Sequence, residues 1–582
     1  MRSVNKRLAS VLGAVVVAGA ACTASEPLEP LPPAAAAADE FLAAWSAGEV
    51  RAMAALLQSG DGRLSPARLR RTMERVMGGG AITSVAVERT EAIEQPPPEE
   101  AESSGGQVTL TVPYELTYAS EAASRPVHLN GVFDLTYERS GERWVVAWDK
   151  SLLLPGLNRA VRLDAAYRWG KRAAIFDRNG KVLARGRGAS RTYPFGDVAG
   201  VTLGHLEPMS RKEVVAGVAG EIGDLAGGSG LEGAFDRRLA GVPSSRLVAR
   251  SAGGRADVVL GRTRGKPGRP LQTTLDVAVQ RAAQAGYGAT LGGAVVMDPA
   301  TGDLLAVLEG ASFDPNNYVG AADVEPFNRA LAGLYPPGSA MKVVTASAAL
   351  DAGVVEPDTK VTGPADYKGV SNFESGVYGT IDFASAVQFS VNTAFAQVAE
   401  DLGPKRITSY AKSFGFNQQP ATIATAAESS FPFPQDLYEL MWGSIGQAQV
   451  LATPLEMASV AGTVANDGVR MEPRIALHEH KQQERVLAPG TARTMTTLME
   501  SVVQGGTGTA AQVSGVRVAG KTGTAEVNVG GGIQNHAWFV CFAPADNPAV
   551  AVGVVAELGG VGGQVAAPLA RGILQRVLPL VG

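Results

Sequence analysis

Ser339 and Lys342 have the types and spacing for one shared reaction, and Ser390 and Lys521 have types that could serve it. In Ser339-Ala340-Met341-Lys342 a hydroxyl and an amine stand three residues apart. On a helix that spacing puts both on one face, one turn apart, so the amine reaches the hydroxyl. Serine is a weak nucleophile without a base. Lysine serves as one only when its pKa falls from about 10.4 toward neutrality. Burial and a second cation both push it that way. Lys521, in Lys521-Thr522-Gly523-Thr524, is the candidate cation. Ser390-Val391-Asn392 adds a hydroxyl suited to relaying a proton and an amide suited to orienting Lys342. Thr522 and Thr524 offer hydroxyls to a carboxylate, and Gly523 is expected to let a substrate backbone approach the strand closely.

Several elements must position these groups. Tyr335-Pro336-Pro337-Gly338 fits the start of a helix, where free N–H groups and the positive dipole end surround Ser339. Lys521 falls in a strand-like run, RVAGKTGTAEV, followed by two more, HAWFVCFAP and AVAVGVVAE. GGAVVMDPATGDLLAVLE reads as a hairpin, QTTLDVAVQRAAQAG as a strand leading into a helix, and APLARGILQRVL as a closing helix. Residues 269–582 thus read as one large α/β unit. Upstream, RAAIFDRNGKVLARG reads as strand, turn, strand, with Asn179-Gly180 as hairpin signal. Arg172, Asp177, Gly180 and Glu232 are expected to hold turns and contacts there. Residues 39–152 read as a helix, with Phe41, Leu42 and Trp45 on its apolar face, followed by strands with alternating polarity. Residues 23–38 read as a Pro/Ala linker.

Residues 1–22 combine a basic start (Arg2, Lys6, Arg7) with an apolar run too short for an ordinary spanning helix. Gly19-Ala20-Ala21-Cys22 resembles a bacterial lipobox, with Cys22 as the lipidated residue. The other readings are an uncleaved anchor and plain secretion. All of them put the body of the chain outside the cytoplasm. Cys541, within HAWFVCFAP, reads as a small core residue.

The ordered set Ser339-x-x-Lys342, Ser390-x-Asn392 and Lys521-Thr522-Gly523 resembles the S-x-x-K, S-x-N and K-T-G motifs of penicillin-binding proteins and serine β-lactamases. FNRALAGLYPPGSAMK, ASAVQFSVNTAFAQVA and SIGQAQVLATPLEMAS extend the likeness. GGSGLEGAFDRRLAG resembles the pedestal of class B penicillin-binding proteins, although Arg172-Ala173 stands where that family has Arg-Gly. WVVAWDKSLLLPGL resembles the cone-shaped N-terminal domain of methicillin-resistance-type members. The resemblance implies a multidomain α+β protein. Its parts are a signal segment (1–22), a linker (23–38), an NTF2-like cone of helix and curved sheet (39–152), a β-rich pedestal or dimerisation-type domain (153–268), and a transpeptidase domain of antiparallel sheet flanked by helices (269–582).

The implied activity is peptidoglycan D,D-transpeptidation. Ser339 attacks the carbonyl between two D-alanines of a stem peptide, and β-lactams acylate the same hydroxyl. By the same resemblance, Ser390 relays protons to the leaving amine, and Asn392 orients Lys342 and the substrate peptide. Thr522 and Thr524 take the terminal carboxylate. The backbone N–H groups of Ser339 and Thr524 form the oxyanion hole. No metal or organic cofactor is implied, and cell-division or elongation proteins are the candidate partners.

Other readings share these residues. A D,D-carboxypeptidase or slow β-lactamase would use the same site, and a sensor-like module would bind β-lactams or wall strands without turnover. Class A hydrolysis also needs a glutamate between the second and third motifs, and no Glu-x-x-x-Asn segment stands between Asn392 and Lys521. Gly515 to Thr522 fits the phosphate-loop pattern, but poor helix material follows it. With 52 basic and 56 acidic residues, the chain lacks the positive field of a nucleic-acid binder. The five histidines show no metal spacing. His478 and His480 read as solvated, and His536 as a turn residue ahead of a strand.

Overall fold

The computed structural model describes residues 29–60, 62–103, 107–210, 223–254, 257–318 and 327–581. Cys22 lies outside the described residues. Two compact units emerge: 29–166 with 245–263, and 167–244 with 264–581.

In the first unit, helices α1 (Ala34–Ser46) and α2 (Pro66–Met77) accompany strands β1 (Ile82–Arg89), β2 (Gln107–Ser120), β3 (Val127–Glu138) and β4 (Arg143–Ala147). β2 and β3 pair antiparallel from Gln107↔Glu138 to Tyr118↔Val127. Alternation along β2 buries Val108, Val112, Tyr114, Leu116 and Tyr118 in a core with Phe41 and Trp45 of α1. The Tyr114 and Tyr118 hydroxyls donate to the carbonyls of Leu152 and Leu153 at 2.7 and 2.6 Å. This fixes the WDKSLLL segment against the sheet.

Two boundaries differ from the sequence reading. α1 takes in Ala34 to Ala38, which were assigned to the linker. Alanine has the lowest helical cost of any residue, and Ala34 and Ala38 are fully buried in this core. The linker therefore ends at Pro33, the helix N-cap. Part of the expected pedestal also packs with the first unit. Ala160–Arg168, Ser244–Ser251 and Val258–Thr263 form a three-stranded sheet, and Leu163, Leu247 and Ala249 bury their side chains in the first unit's core.

In the second unit, Ile175–Phe176 and Val182–Ala184 form the expected hairpin, with Gly180 at φ +80° in its turn. Asp177 accepts from the N–H groups of Asn179 and Lys181. Glu232 is fully buried between two arginines, Arg172 Nε at 2.8 Å and Arg191 Nε at 2.7 Å. Next come helix α3 (Val277–Tyr287) and strands β5 (Gly292–Met297) and β6 (Leu304–Glu309). Helices α4 (Lys342–Asp351), α5 (Asn392–Leu402), α6 (Pro454–Ala465) and α7 (Pro489–Gly505) follow. Strands β7 (Ala519–Val529), β8 (Gly532–Ala543) and β9 (Val550–Ala556) and helix α8 (Ala566–Val581) complete the unit.

The five strands form one antiparallel sheet in the order β6-β5-β9-β8-β7. β8 reads as a continuous apolar run because both its faces are covered. Phe539 and Cys541 face the layer of α3 and α8. Trp538, Val540 and Phe542 face the layer that carries α4 to α7. β7 is the sheet's edge, and it carries Lys521.

Breaking a buried ion pair from one side leaves an uncompensated charge and costs about 3–5 kcal/mol. Glu232→Ala leaves Arg191 without a carboxylate and Arg172 with Asp236 alone. Calorimetric unfolding should show the transition of the second unit falling by that order while the first unit's transition stays in place.

Candidate active site

Gly338–Met341 forms a single 3₁₀ turn, and α4 begins at Lys342. The sequence reading had both residues on an α-helix. In a 3₁₀ turn residues i and i+3 eclipse, so Ser339 and Lys342 are aligned more directly than an α-helix would align them. The turn is clamped against β7. Gly338 holds φ +52° and donates its N–H to Gly446 O at 2.8 Å. A Cβ on Gly338 would sit 2.5 Å from Thr524 O. A Cβ on Gly523 would sit 2.6 Å from Pro337 O and 3.0 Å from Ala340 N. A side chain at Gly523 would therefore collide with the serine turn, a close approach the sequence reading does not include. Trp538 Nε1 donates to Pro336 O at 2.9 Å. His536 lies within β8 rather than in a turn, accepts from Leu558 N at 3.0 Å, and meets the Tyr335 ring edge-on. Burial lowers its pKa.

The two lysines converge on Ser390. Lys342 Nζ lies 2.6 Å from Asn392 Oδ1, 2.8 Å from Ser390 O and 3.2 Å from Ser390 Oγ. Lys521 Nζ lies 2.9 Å from Ser390 Oγ and 3.0 Å from Thr522 O. Both lysines are buried, at 1% and 0% exposure. Burial drives the Lys342 pKa well below its ordinary value, and the Lys521 charge pushes it further the same way. Burial takes Lys521 to about 7. Among the described residues no carboxylate pairs with either amine, so no opposite charge offsets the desolvation. Ser390 itself has φ +58°, an uncommon conformation for a side-chain-bearing residue. The turn after Phe383–Gln388 turns its carbonyl and its hydroxyl onto one lysine.

Ser339, Ser390, Asn392, Thr522 and Thr524 line one cleft of about 740 Å³. Ser339 Oγ is left without a hydrogen bond to the described residues. Thr522 Oγ1 shares a 2.6 Å hydrogen bond with Thr507 Oγ1, and Thr524 Oγ1 accepts from Gly562 N at 3.1 Å. Lys521 stands inside a strand, so the Gly515–Thr522 pattern lacks the strand-to-helix turn of a phosphate loop.

The sequence matches the penicillin binding protein transpeptidase domain over residues 292–575. It also matches the penicillin-binding protein dimerisation domain over 186–273 and the NTF2-like N-terminal transpeptidase domain over 33–160. Peptidoglycan D,D-transpeptidase PbpA of Mycolicibacterium smegmatis is 35% identical over 398 residues, 60% of this chain and 79% of that protein. The chain belongs to the class B penicillin-binding proteins. The D,D-transpeptidase domain of an Eggerthella lenta peptidoglycan glycosyltransferase superposes with TM-score 0.58 at 30% identity, covering 71% of this chain and 99% of that one. Penicillin-binding protein A of Mycobacterium tuberculosis, as its penicillin G acyl-enzyme, superposes with TM-score 0.57 at 28% identity over 70% and 99%.

Three site features of this penicillin-binding protein went unmarked in the sequence. Thr507 sits in a Gly-rich loop that reads only as a connection. Phe395 places its ring 5.0 Å below Lys342 Nζ and looks like any helical core residue. Glu526 lines the cleft two residues past the third motif.

Overpacking of this kind costs about 1–3 kcal/mol. Gly523→Ala should destabilise the second unit by that order and lower its unfolding midpoint, because the new methyl meets the backbone of Pro337 and the Trp538 side chain. An unchanged midpoint would show that the turn is free to withdraw from β7.

Proposed function

We propose that this penicillin-binding protein is a peptidoglycan D,D-transpeptidase acting outside the cytoplasm through a Ser339 acyl-enzyme. The observation that carries this reading is the position of Ser390 Oγ, 3.2 Å from one depressed lysine and 2.9 Å from the other. Such a hydroxyl can pass a proton in either direction between amine and substrate.

Lys342 in its neutral form takes the Ser339 proton, and Oγ attacks the carbonyl between the two D-alanines. The carbonyl oxygen becomes an oxyanion held by the N–H groups of Ser339 and Thr524; one such donor is worth about 3–4 kcal/mol. Ser390 hands a proton to the departing D-Ala nitrogen while it takes one from the lysine pair, and the C–N bond breaks. The terminal carboxylate of the substrate rests on the hydroxyls of Thr522 and Thr524, with Lys521 beneath. Asn392 fixes Lys342 through Oδ1 and holds the neighbouring wall through Nδ2, which donates to Ser371 O at 2.8 Å. In the second half, an acceptor amine attacks the ester carbonyl. It loses its proton through Ser390 to the lysines, and Ser339 leaves as the free hydroxyl. A strained β-lactam amide enters the first half in the same way, and its tethered leaving group stays in the cleft.

Cys22 as a lipidated first residue would hold the protein at the outer face of the cytoplasmic membrane. Among the described residues no helix is long and apolar enough to cross one. Cell-division or elongation proteins are its candidate partners.

Intact-protein mass spectrometry after incubation with benzylpenicillin tests the reading. One adduct is expected on the parent and none on Ser339→Ala. Consumed penicillin without an adduct would mean rapid hydrolysis instead. The pH profile tests the base. Acylation should rise with pH as Lys342 loses its proton. Lys521→Met removes the charge that helps depress Lys342, so the rising limb should move to higher pH. Its overall rate should fall about 100-fold with the loss of proton relay. A limb that stays in place would contradict Lys342 as the base.

A further inference from the structure

Thr522, Thr524 and Glu526 alternate along β7 and so share one face. All three line the cleft that holds Ser339. β7 leaves the core along its length: Thr522 is buried, Thr524 half-buried, and Glu526, Asn528 and Val529 exposed. The Glu526 carboxylate forms no hydrogen bond or ion pair with the described residues, while its backbone pairs with Asn535 in the sheet. The other carboxylate at the cleft, Glu374, stands on a separate wall, in the Phe373–Ser375 turn that follows Asn372. No lysine or arginine is among the residues lining the cleft surface, since Lys342 and Lys521 lie beneath it.

We propose that Glu526 selects the acyl donor by pairing with a side-chain ammonium on the residue that precedes the acylating D-alanine. The inference rests on the transpeptidase reading and gives its donor a chemical class. An extended peptide advances about 3.3–3.4 Å per residue. A donor whose terminal carboxylate sits at Thr522 and Thr524 has its scissile carbonyl beside Ser339. Followed outward along the exposed edge strand, as an added strand would lie, it brings the preceding residue about 7 Å beyond Thr524. Glu526 stands at that distance, two residues along the same face. The acceptor amine is a poorer occupant. It must reach the ester carbonyl unprotonated, whereas a carboxylate favours the ammonium form. The position also separates the two charges of the donor: its carboxylate goes over the buried lysines, its cation to Glu526.

The test uses two thioester donors, Nα-acetyl-Lys-D-Ala-thioglycolate with its ε-amine free or acetylated. Thiol release reads kcat and KM for each. The parent should prefer the free amine about fivefold to tenfold in kcat/KM, mainly through KM, with the preference shrinking at high salt. In Glu526→Gln the ratio of the two donors should approach one, and in Glu526→Lys it should invert. A ratio that survives Glu526→Gln, or a parent with no preference, overturns the assignment. Benzylpenicillin acylation of the parent is measured alongside. If neither benzylpenicillin nor the thioesters acylate Ser339, the transpeptidase reading fails and the assignment with it. If Ser339 is acylated but the donor ratio does not depend on Glu526, only the assignment fails.

Discussion

Lys342 carries an amine that folding removes from water and surrounds with Asn392 Oδ1, Ser390 Oγ and Ser390 O. An ammonium in that place would be favoured by a carboxylate partner, and none is found among the described residues. Three oxygens hold the nitrogen in position without restoring the lost solvation. The low pKa is therefore a property of the packing, and each surrounding element can be understood by what it adds to that packing. α5 begins at Asn392 and sets its amide, the turn at Ser390 aims a carbonyl and a hydroxyl, and Phe395 closes the floor. Stability is given up here, as it commonly is at sites built for chemistry.

The second lysine couples this arrangement to the sheet. Lys521 sits on the edge strand β7, and its amine shares Ser390 Oγ with Lys342. The position of β7 thus sets the proton relay, and β7 is located by its contacts with the serine turn. A side chain at Gly338 would collide with the backbone of Thr524, and one at Gly523 with that of Pro337. Trp538 on β8 holds Pro336 from behind. The nucleophile, the relay and the substrate-binding threonines are in this way referred to one rigid strand pair, which suits a reaction sensitive to shifts of an ångström.

Much of this could be read from the residues. Ser339, Lys342, Ser390, Asn392 and Lys521 stand out in the sequence because their ordered motifs resemble those of penicillin-binding proteins, and the structure brings Lys342, Ser390, Asn392 and Lys521 into hydrogen-bond distance. The strands of the second unit were legible from their apolar runs, since both faces of β8 are covered. What escaped was information about close approach. A glycine in a strand says that something comes near but not what, so the packing of the serine turn on Gly523 could not be read from the sequence. The Ala34–Ala38 stretch looked like linker because alanine carries no periodicity, and only the first unit's core reveals it as helix. The three strands 160–168, 244–251 and 258–263 looked like pedestal because no local signal says which core will take Leu163 and Leu247. His536 was misplaced because a strand's start is poorly marked when polar residues precede an apolar run.

The most direct test of the account is the ionisation of Lys342 itself. Lysine ¹³Cε and ¹⁵Nζ NMR shifts, followed across pH and assigned with Lys342→Gln, report the charge state of this one amine. The account predicts a neutral-amine signature for Lys342 at pH 8, with a midpoint well below the ordinary value of about 10.4. An ammonium signature that persists to pH 10 would contradict it, and would remove Lys342 as the base whatever the distances around Ser390.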